Sequence, residues 1–239
     1  MTANFTQDTF YETLRCHGIE LSDKQKQQFD VYAKMLVEWN EKMNLTAITQ
    51  IDEIYEKHFL DSILPSFVFD ISGSLCDVGA GAGFPSIPLK IVYPQLSVTI
   101  IETLGKRVTF LNELVKALAL EDVQCLHARA EEACADFRES FDHVTARAVA
   151  NLPMLSELCI PFIRVGGSFI AMKGAGGHEE VEAAKKAIRV LGCELRNSSD
   201  VNLSDGSLRV NVEFVKVKST PKQYPRAFAK IKKNPLRGE

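Results

Sequence analysis

Between Leu75 and Pro85 an apolar run ends in Asp77, and glycine then recurs at every second position, Gly79, Gly81 and Gly83, before Phe84 and Pro85. Glycine has no Cβ and accepts positive φ, so a backbone of this composition can approach a nucleotide closely. Pro85, with no N–H and a fixed φ, suits the first turn of a following helix, and the loop is expected to end on free helix N–H groups. A dinucleotide fold asks for Gly-x-Gly-x-x-Gly. Counted from Gly79, the third glycine position holds Phe84, which disfavours NAD and FAD.

The segments around this loop alternate between strand and helix patterns, the signature of a parallel sheet covered on both faces. Strands are expected near 75–79, 97–102, 122–127, 141–147 and 167–173, with helices near 85–93, 105–119, 130–138, 151–163 and 178–190. A further strand near 193–203 meets Asp205-Gly206, a strong hairpin turn, after which Leu208, Val210, Val212 and Phe214 alternate with polar residues. The expected fold class is α/β, a Rossmann-like doubly wound sheet closed by an antiparallel strand. Residues 1–64 read as a helical extension. Phe29, Tyr32, Leu36, Trp39 and Met43 form one stripe, Ser22 and Gln25 a capping box, and a last helix runs from about Asp52 to Leu64 before Pro65. Residues 65–218 form the sheet domain and 219–239 a basic tail.

A chain of 239 residues with 46% hydrophobic and 25% charged residues can bury one substantial core. No apolar run approaches the ~20 residues of a membrane span, and the opening MTANFTQDTFYETL is polar where a signal peptide would be basic and then apolar. A cytoplasmic protein that does not contact a membrane is expected. Six cysteines show no C-x-x-C pair, so no metal site and no disulfide framework is expected. The net charge of −3 conceals an asymmetry: from Lys216 to Glu239 eight Lys/Arg face one acid, +7, and the preceding residues carry 20 basic against 30 acidic, −10. Such a tail can be a solvated terminus. With Tyr224 and Phe228 interleaved among its cations, it also suits phosphates and an unstacked base.

In a doubly wound sheet a ligand lies beyond the carboxyl ends of the strands. The residues there are Asp77 to Phe84 after the first strand and Glu102 after the second, whose carboxylate can accept both ribose hydroxyls. After the third come Ala130 and Glu131, which can frame an adenine edge or simply start a helix. After the fourth comes Arg147, which needs an anionic or hydrogen-bonding partner, whether a ligand or a structural ion pair. Asn151-Leu152-Pro153-Met154 comes near an Asn-Pro-Pro-Tyr-like turn but lacks its aromatic, and reads as a helix start.

Asp77-x-Gly79-x-Gly81-x-Gly83 resembles the first motif of class I S-adenosylmethionine (SAM) methyltransferases. Trp39-Asn40-x-Lys42-Met43-Asn44-Leu45-Thr46, His58-Phe59-x-Asp61-Ser62, Lys106-Arg107, Arg129-Ala130-Glu131, Ala146-Arg147-Ala148-Val149-Ala150, Lys173-Gly174 and Tyr224-Pro225-Arg226 narrow the resemblance to the RsmG (GidB) family of bacterial 16S rRNA guanine-N7 methyltransferases. It runs almost end to end. It implies SAM, with S-adenosylhomocysteine as product, held around Gly79, Phe84, Ala130, Glu131 and Arg147, to which the reading of the strand ends adds Asp77, Gly81, Gly83 and Glu102. It also implies methylation of the guanine customarily numbered 527, in 16S rRNA or a small-subunit ribosomal particle; a monomer is expected. No catalytic base is implied, with Arg147 the candidate for positioning. Lys106, Arg107, Lys173, Tyr224, Arg226, Lys230, Lys232 and Lys233 are the residues expected on RNA, with Lys90 beside them. Glu102 stands where many members carry Asp, and the tail lacks the usual Pro/Gly-rich link. His58 and Asp61 fit either a substrate entrance or a packed helix.

Overall fold

The computed structural model describes residues 5–237. Thr6 caps α1 (Gln7–Cys16), and Ser22 opens α2 (Asp23–Met43) with a reciprocal capping box to Gln25. Phe29, Tyr32 and Leu36 of the stripe are buried, while Trp39 and Met43 pack half-exposed at its end. The expected Asp52–Leu64 helix is a composite. Helix α3 (Ile51–Ile54) passes through a π-helical turn (Tyr55–Leu60) into α4 (Asp61–Ile63) and a 3-10 turn (Leu64–Phe67). Pro65 does not end the run, because it sits in the first turn of the 3-10 segment, where a missing N–H breaks no helical bond.

The sheet contains β1 (Ser74–Val78), β2 (Ser97–Glu102), β3 (Val123–His127), β4 (Phe141–Arg147), β5 (Ile163–Lys173), β6 (Cys193–Asn202) and β7 (Leu208–Lys216) in the order β3-β2-β1-β4-β5-β7-β6. The first five strands pair in parallel, and β7 is antiparallel to both β5 and β6. Helices α5 (Ser86–Val92), α6 (Gly105–Ala117), α7 (Ala130–Phe137), α8 (Leu152–Cys159) and α9 (Gly177–Leu191) connect them, and α10 (Phe228–Lys233) lies in the tail. Strand order reverses between β1 and β4, which opens a crevice at their carboxyl ends.

Two cores sandwich the sheet. One joins the N-terminal helices to α5 and α6 through residues such as Phe10, Phe29, Phe59, Ile87 and Phe110; the other joins α7, α8, α9 and the tail through Leu155, Ile188, Tyr224 and Ile231. Strand β5 begins four residues earlier than expected, at Ile163, with a register shift against β4 between Phe141 and His143. The Gly166-Gly167 pair is the sequence trace of that irregularity, since a Cβ on Gly167 would collide with the Asp142 carbonyl oxygen. Helix α8 stops at Cys159, short of the expected 163, and Pro161 lies in the 3-10 turn (Ile160–Phe162) that follows. All six cysteines are free thiols. Among the described residues no helix is long and apolar enough to cross a membrane, and no cluster of three metal-ligating side chains occurs.

Candidate functional site

The glycine loop leaves β1 at Gly79, whose φ is +78° and whose N–H donates to the Ile101 carbonyl at 2.8 Å. A Cβ here would come within 2.8 Å of Val149 Cγ2, and one on Gly83, at φ +102°, within 2.8 Å of the Tyr32 hydroxyl. Both positions therefore require glycine for space as well as for backbone conformation. The N–H of Gly81 donates to Glu102 Oε2 at 3.0 Å, and the Leu104 N–H to Glu102 Oε1 at 3.0 Å. Glu102 is buried and locks the first loop to the second. Oε1 also accepts the Thr103 hydroxyl at 3.3 Å, which leaves Oε2 as the oxygen that can accept another bond.

The loop does not end on free helix N–H groups. Ser86 donates its N–H to Asp77 Oδ2 at 3.2 Å, and Ile87 donates to the Gly83 carbonyl. Asp77 is thus the buried cap of α5. Its Oδ1 has no hydrogen-bond partner, and burial, opposed by the Ser86 bonds and by Arg147, pushes the carboxyl up to about 7.

A cavity of about 410 Å³ opens beyond β1, β2 and β3, lined among others by Gly79, Glu102, Ala128, Ala130, Glu131 and Val149. Its volume suits a nucleoside-sized ligand. Arg129 precedes α7 without a side-chain cap and its Nε pairs with Glu131 Oε1 at 2.7 Å, so the first turn of α7 faces the cavity. Arg107, expected on RNA, lines this cavity with its guanidinium 3.6 Å from Glu102 Oε2, whereas Lys106 is exposed.

A second cavity, about 610 Å³, shares the wall Ala148-Val149 with the first and is lined by His58, Asp61, Arg147, Asn151, Lys173 and Arg209, with Lys57 and Glu180 at its edge. Asp61 is 5% exposed and holds two arginines, Arg147 Nη1 on Oδ2 at 2.7 Å and Arg209 Nε on Oδ1 at 2.9 Å. Arg147 also donates to the Lys57 carbonyl at 3.2 Å. It lines the second cavity, beside the Ala148-Val149 wall that the two cavities share. Phe84 is likewise turned inward. Its ring lies between Tyr32, 5.3 Å away, and His58, 4.5 Å away, with the Arg147 guanidinium 4.8 Å from its centre, so it supports the second cavity and lines neither. Burial, helped by Arg147, pushes His58 down to about 3, and its Nε2 meets Thr46 Oγ1 at 2.7 Å. Lys173 reaches this cavity with Nζ on the Ala150 carbonyl at 2.6 Å and on Glu180 at 2.8 Å. Asn151 caps α8, accepting the Met154 N–H, as its helix-start reading predicts.

The hairpin and the N-terminal extension are clamped together at this cavity. Ser204 donates its N–H and Oγ to Glu56, and Lys57 pairs with Asp205 at 3.2 Å. Sequence reasoning missed Arg209, Glu180 and Lys57: Arg209 and Lys57 meet Asp61 and Asp205 in remote segments, whereas Glu180 takes the nearby Lys173 and the Leu152 N–H. It also misplaced part of the tail. Tyr224 is buried, and Arg226 forms a two-pronged pair with fully buried Glu157, Nε to Oε1 at 2.8 Å and Nη2 to Oε2 at 2.6 Å. Lys90 is also buried, with Nζ on the Pro94 carbonyl at 2.6 Å. Only Lys230, Lys232 and Lys233 of the expected tail contacts are exposed.

Residues 25–207 match the family described as GidB, rRNA small subunit methyltransferase G. A protein named ribosomal RNA small subunit methyltransferase G from Lysinibacillus sphaericus (strain C3-41) is 52% identical over 96% of this chain and 99% of its own length. One of the same name from Staphylococcus aureus (strain JH9) is 53% identical over 97% and 98%. Among solved structures, M. jannaschii TYW2 in complex with AdoMet superposes with a TM-score of 0.54 at 17% identity, covering 67% of this chain and 76% of that one. A precorrin-6y C5,15-methyltransferase from Geobacter metallireducens gives 0.51 at 14%, covering 72% and 91%. These two likenesses speak for the fold. With the profile spanning most of the chain and relatives above half identity over nearly all of it, the chain belongs to the rRNA small subunit methyltransferase G family.

Proposed function

We propose that this protein transfers the methyl group of SAM to N7 of a guanine in 16S rRNA, the one customarily numbered 527, acting as a monomer in the cytoplasm on free RNA or a small-subunit particle. The observation that carries this reading is the pair of adjoining cavities, one built from backbone and a carboxylate, the other from paired charges, that meet at Ala148-Val149.

The first cavity fits SAM. Gly79 leaves room that any side chain would fill, and Glu102 presents Oε2 with accepting capacity left for a ribose hydroxyl. Ala130 and Glu131, at the start of α7, suit the adenine edge. Bound there, SAM supplies a methyl carbon made electrophilic by its sulfonium. The residues around it need only hold the acceptor in line at about 3 to 3.5 Å, and such orientation is worth about 7 to 11 kcal/mol of barrier.

The second cavity fits an acceptor that needs no deprotonation. Guanine N7 offers a lone pair in the ring plane at neutral pH. The ionisable groups here are already committed: Asp61 to Arg147 and Arg209, Lys173 to Glu180, and His58 to Thr46. As the methyl moves, positive charge passes to the purine, and a bare cation against the ring would oppose it. Arg147 is not bare: it is paired with Asp61, which it shares with Arg209, and its guanidinium is laid over Phe84, away from a ring in the cavity. A base splayed from an RNA loop can enter such a pocket while exposed Lys106, Lys230, Lys232 and Lys233 hold phosphates.

The test is transfer of radiolabelled methyl from SAM to 16S rRNA and to small subunits, followed by digestion to nucleosides. Label migrating as 7-methylguanosine is expected. Label in protein, in another nucleoside, or nowhere contradicts the proposal.

A further inference from the structure

The tail was read from sequence as an RNA-facing segment, yet one of its aromatics borders the first cavity. Phe228, the first residue of α10, is half-buried and lines that cavity, with the Arg129 guanidinium 4.9 Å from its ring centre. Part of its side chain packs against the second core, and the rest is left open to the cavity. The chain reaches the place only because the preceding residues are fixed to the body. Arg138 donates to the carbonyls of Tyr224 and Thr220, each at 2.7 Å. The Arg226 N–H joins its guanidinium on Glu157, at 2.9 Å. Ile231, one turn on, is fully buried against the second core. A residue delivered by so many anchors, yet left partly open on a cavity wall, is placed for a ligand face.

We infer that Phe228 is the wall on which the adenine ring of SAM stacks, so that the C-terminal tail completes the cofactor site. This rests on the proposed SAM site. The purine of SAM offers a π-face, and a π-face is what an aromatic wall recognises, whereas Glu102 can serve only the ribose hydroxyls. Arg129 on the ring, itself tied to Glu131, fixes the tilt of the phenyl group and adds a cation–π contact. The same six-residue helix carries Lys230, Lys232 and Lys233 outward. RNA held by those lysines would press the aromatic wall onto the cofactor.

Calorimetric titration of the full chain with S-adenosylhomocysteine and with adenosine tests this. Phe228→Ala is expected to weaken both ligands by about the same factor, roughly ten-fold, since the lost contact is with the base. Phe228→Tyr should restore binding, and Phe228→Leu, which keeps the apolar contact with the core, should remain weak. In steady-state assays Phe228→Ala raises the KM for SAM and leaves kcat at saturating SAM within about two-fold. Equal affinities in the wild type and the Ala and Leu variants would overturn the inference while leaving the cofactor site intact. Equal weakening in the Tyr variant would also overturn it, marking a packing role. Failure of the wild type to bind either ligand would remove the proposed cofactor site and this inference together.

Discussion

The two cavities share a wall but are made in opposite ways. The first has a floor of main chain, glycines without a Cβ, the start of α7 and one carboxylate holding neighbouring N–H groups, with the local pairs Arg107–Glu102 and Arg129–Glu131 at its wall. The second is shaped by side-chain pairs, Asp61 with Arg147 and Arg209 and Lys57 with Asp205 across long distances in sequence, and Lys173 with Glu180 across a short one. A backbone-built cavity keeps its shape when a surface charge is lost and fails when a methyl group is added. A cavity built from ion pairs should behave in reverse.

The comparison is broken most sharply at Gly79. Gly79→Val places branched carbon beyond a Cβ already 2.8 Å from Val149, at φ +78°, and is expected to abolish SAM binding, a loss above a hundred-fold by calorimetry. An affinity within ten-fold of wild type would show that the loop is not the cradle. On the other side of the wall, Asp61→Ala leaves Arg147 and Arg209 without their shared anion, 15% and 22% exposed. Removing one partner of a buried pair costs about 3 to 5 kcal/mol, and the exposure of both arginines puts this case near the lower end. Denaturant midpoints should fall accordingly and methyl transfer should be lost, while affinity for S-adenosylhomocysteine changes less than three-fold. A large loss of that affinity would mean that the two cavities are not separable.

Smaller effects are expected with pH. Unfolded, His58 takes up a proton near pH 6.5, but the folded site refuses it until about pH 3. Stability is therefore lost as pH falls through that window, by at most about 1.4 kcal/mol per unit. Asp77 acts the other way. Its folded carboxyl keeps its proton up to about pH 7 although its ordinary value is 3.8, so its contribution is present in acid and is lost as pH rises between those values. Urea midpoints measured between pH 3 and 7 should show a shallower acid decline for His58→Asn than for wild type. An unchanged slope would show that His58 titrates normally.

The mildest change concerns the tail. Replacing Lys230, Lys232 and Lys233 with Ala is expected to weaken RNA binding about ten-fold at low salt and to reduce the salt slope by about two, with SAM affinity unchanged. An identical salt slope would take the tail off the RNA.

The contrast between the cavities also explains what could be read from the chain alone. Gly79, Gly83 and Glu102 announce themselves locally, because a glycine that needs positive φ or a carboxylate at a strand end is legible within a few residues. The alternation of strands and helices, and the hairpin at Asp205-Gly206, follow equally short patterns, so most elements fell within a few residues of their places. Arg147 was visible as a charge in need of a partner, but whether that was a ligand or Asp61 depends on packing between segments 86 residues apart. The π-helical turn that carries His58 has no comparable short-range mark, and Pro65 suggested a stop that the 3-10 geometry avoids. Arg226 looked like a phosphate contact because its partner, Glu157, sits on an otherwise apolar helix 69 residues earlier. Local backbone demands can be read from one stretch of sequence; pairings require the fold.

The most direct test of the account is a structure of the protein bound to S-adenosylhomocysteine. The account predicts the ribose hydroxyls on the Glu102 carboxylate, the base beside Ala130, and the sulfur toward Val149, facing the cavity of Asp61 and Arg147. A nucleoside lodged instead among Lys173, Glu180 and Arg209 would contradict it.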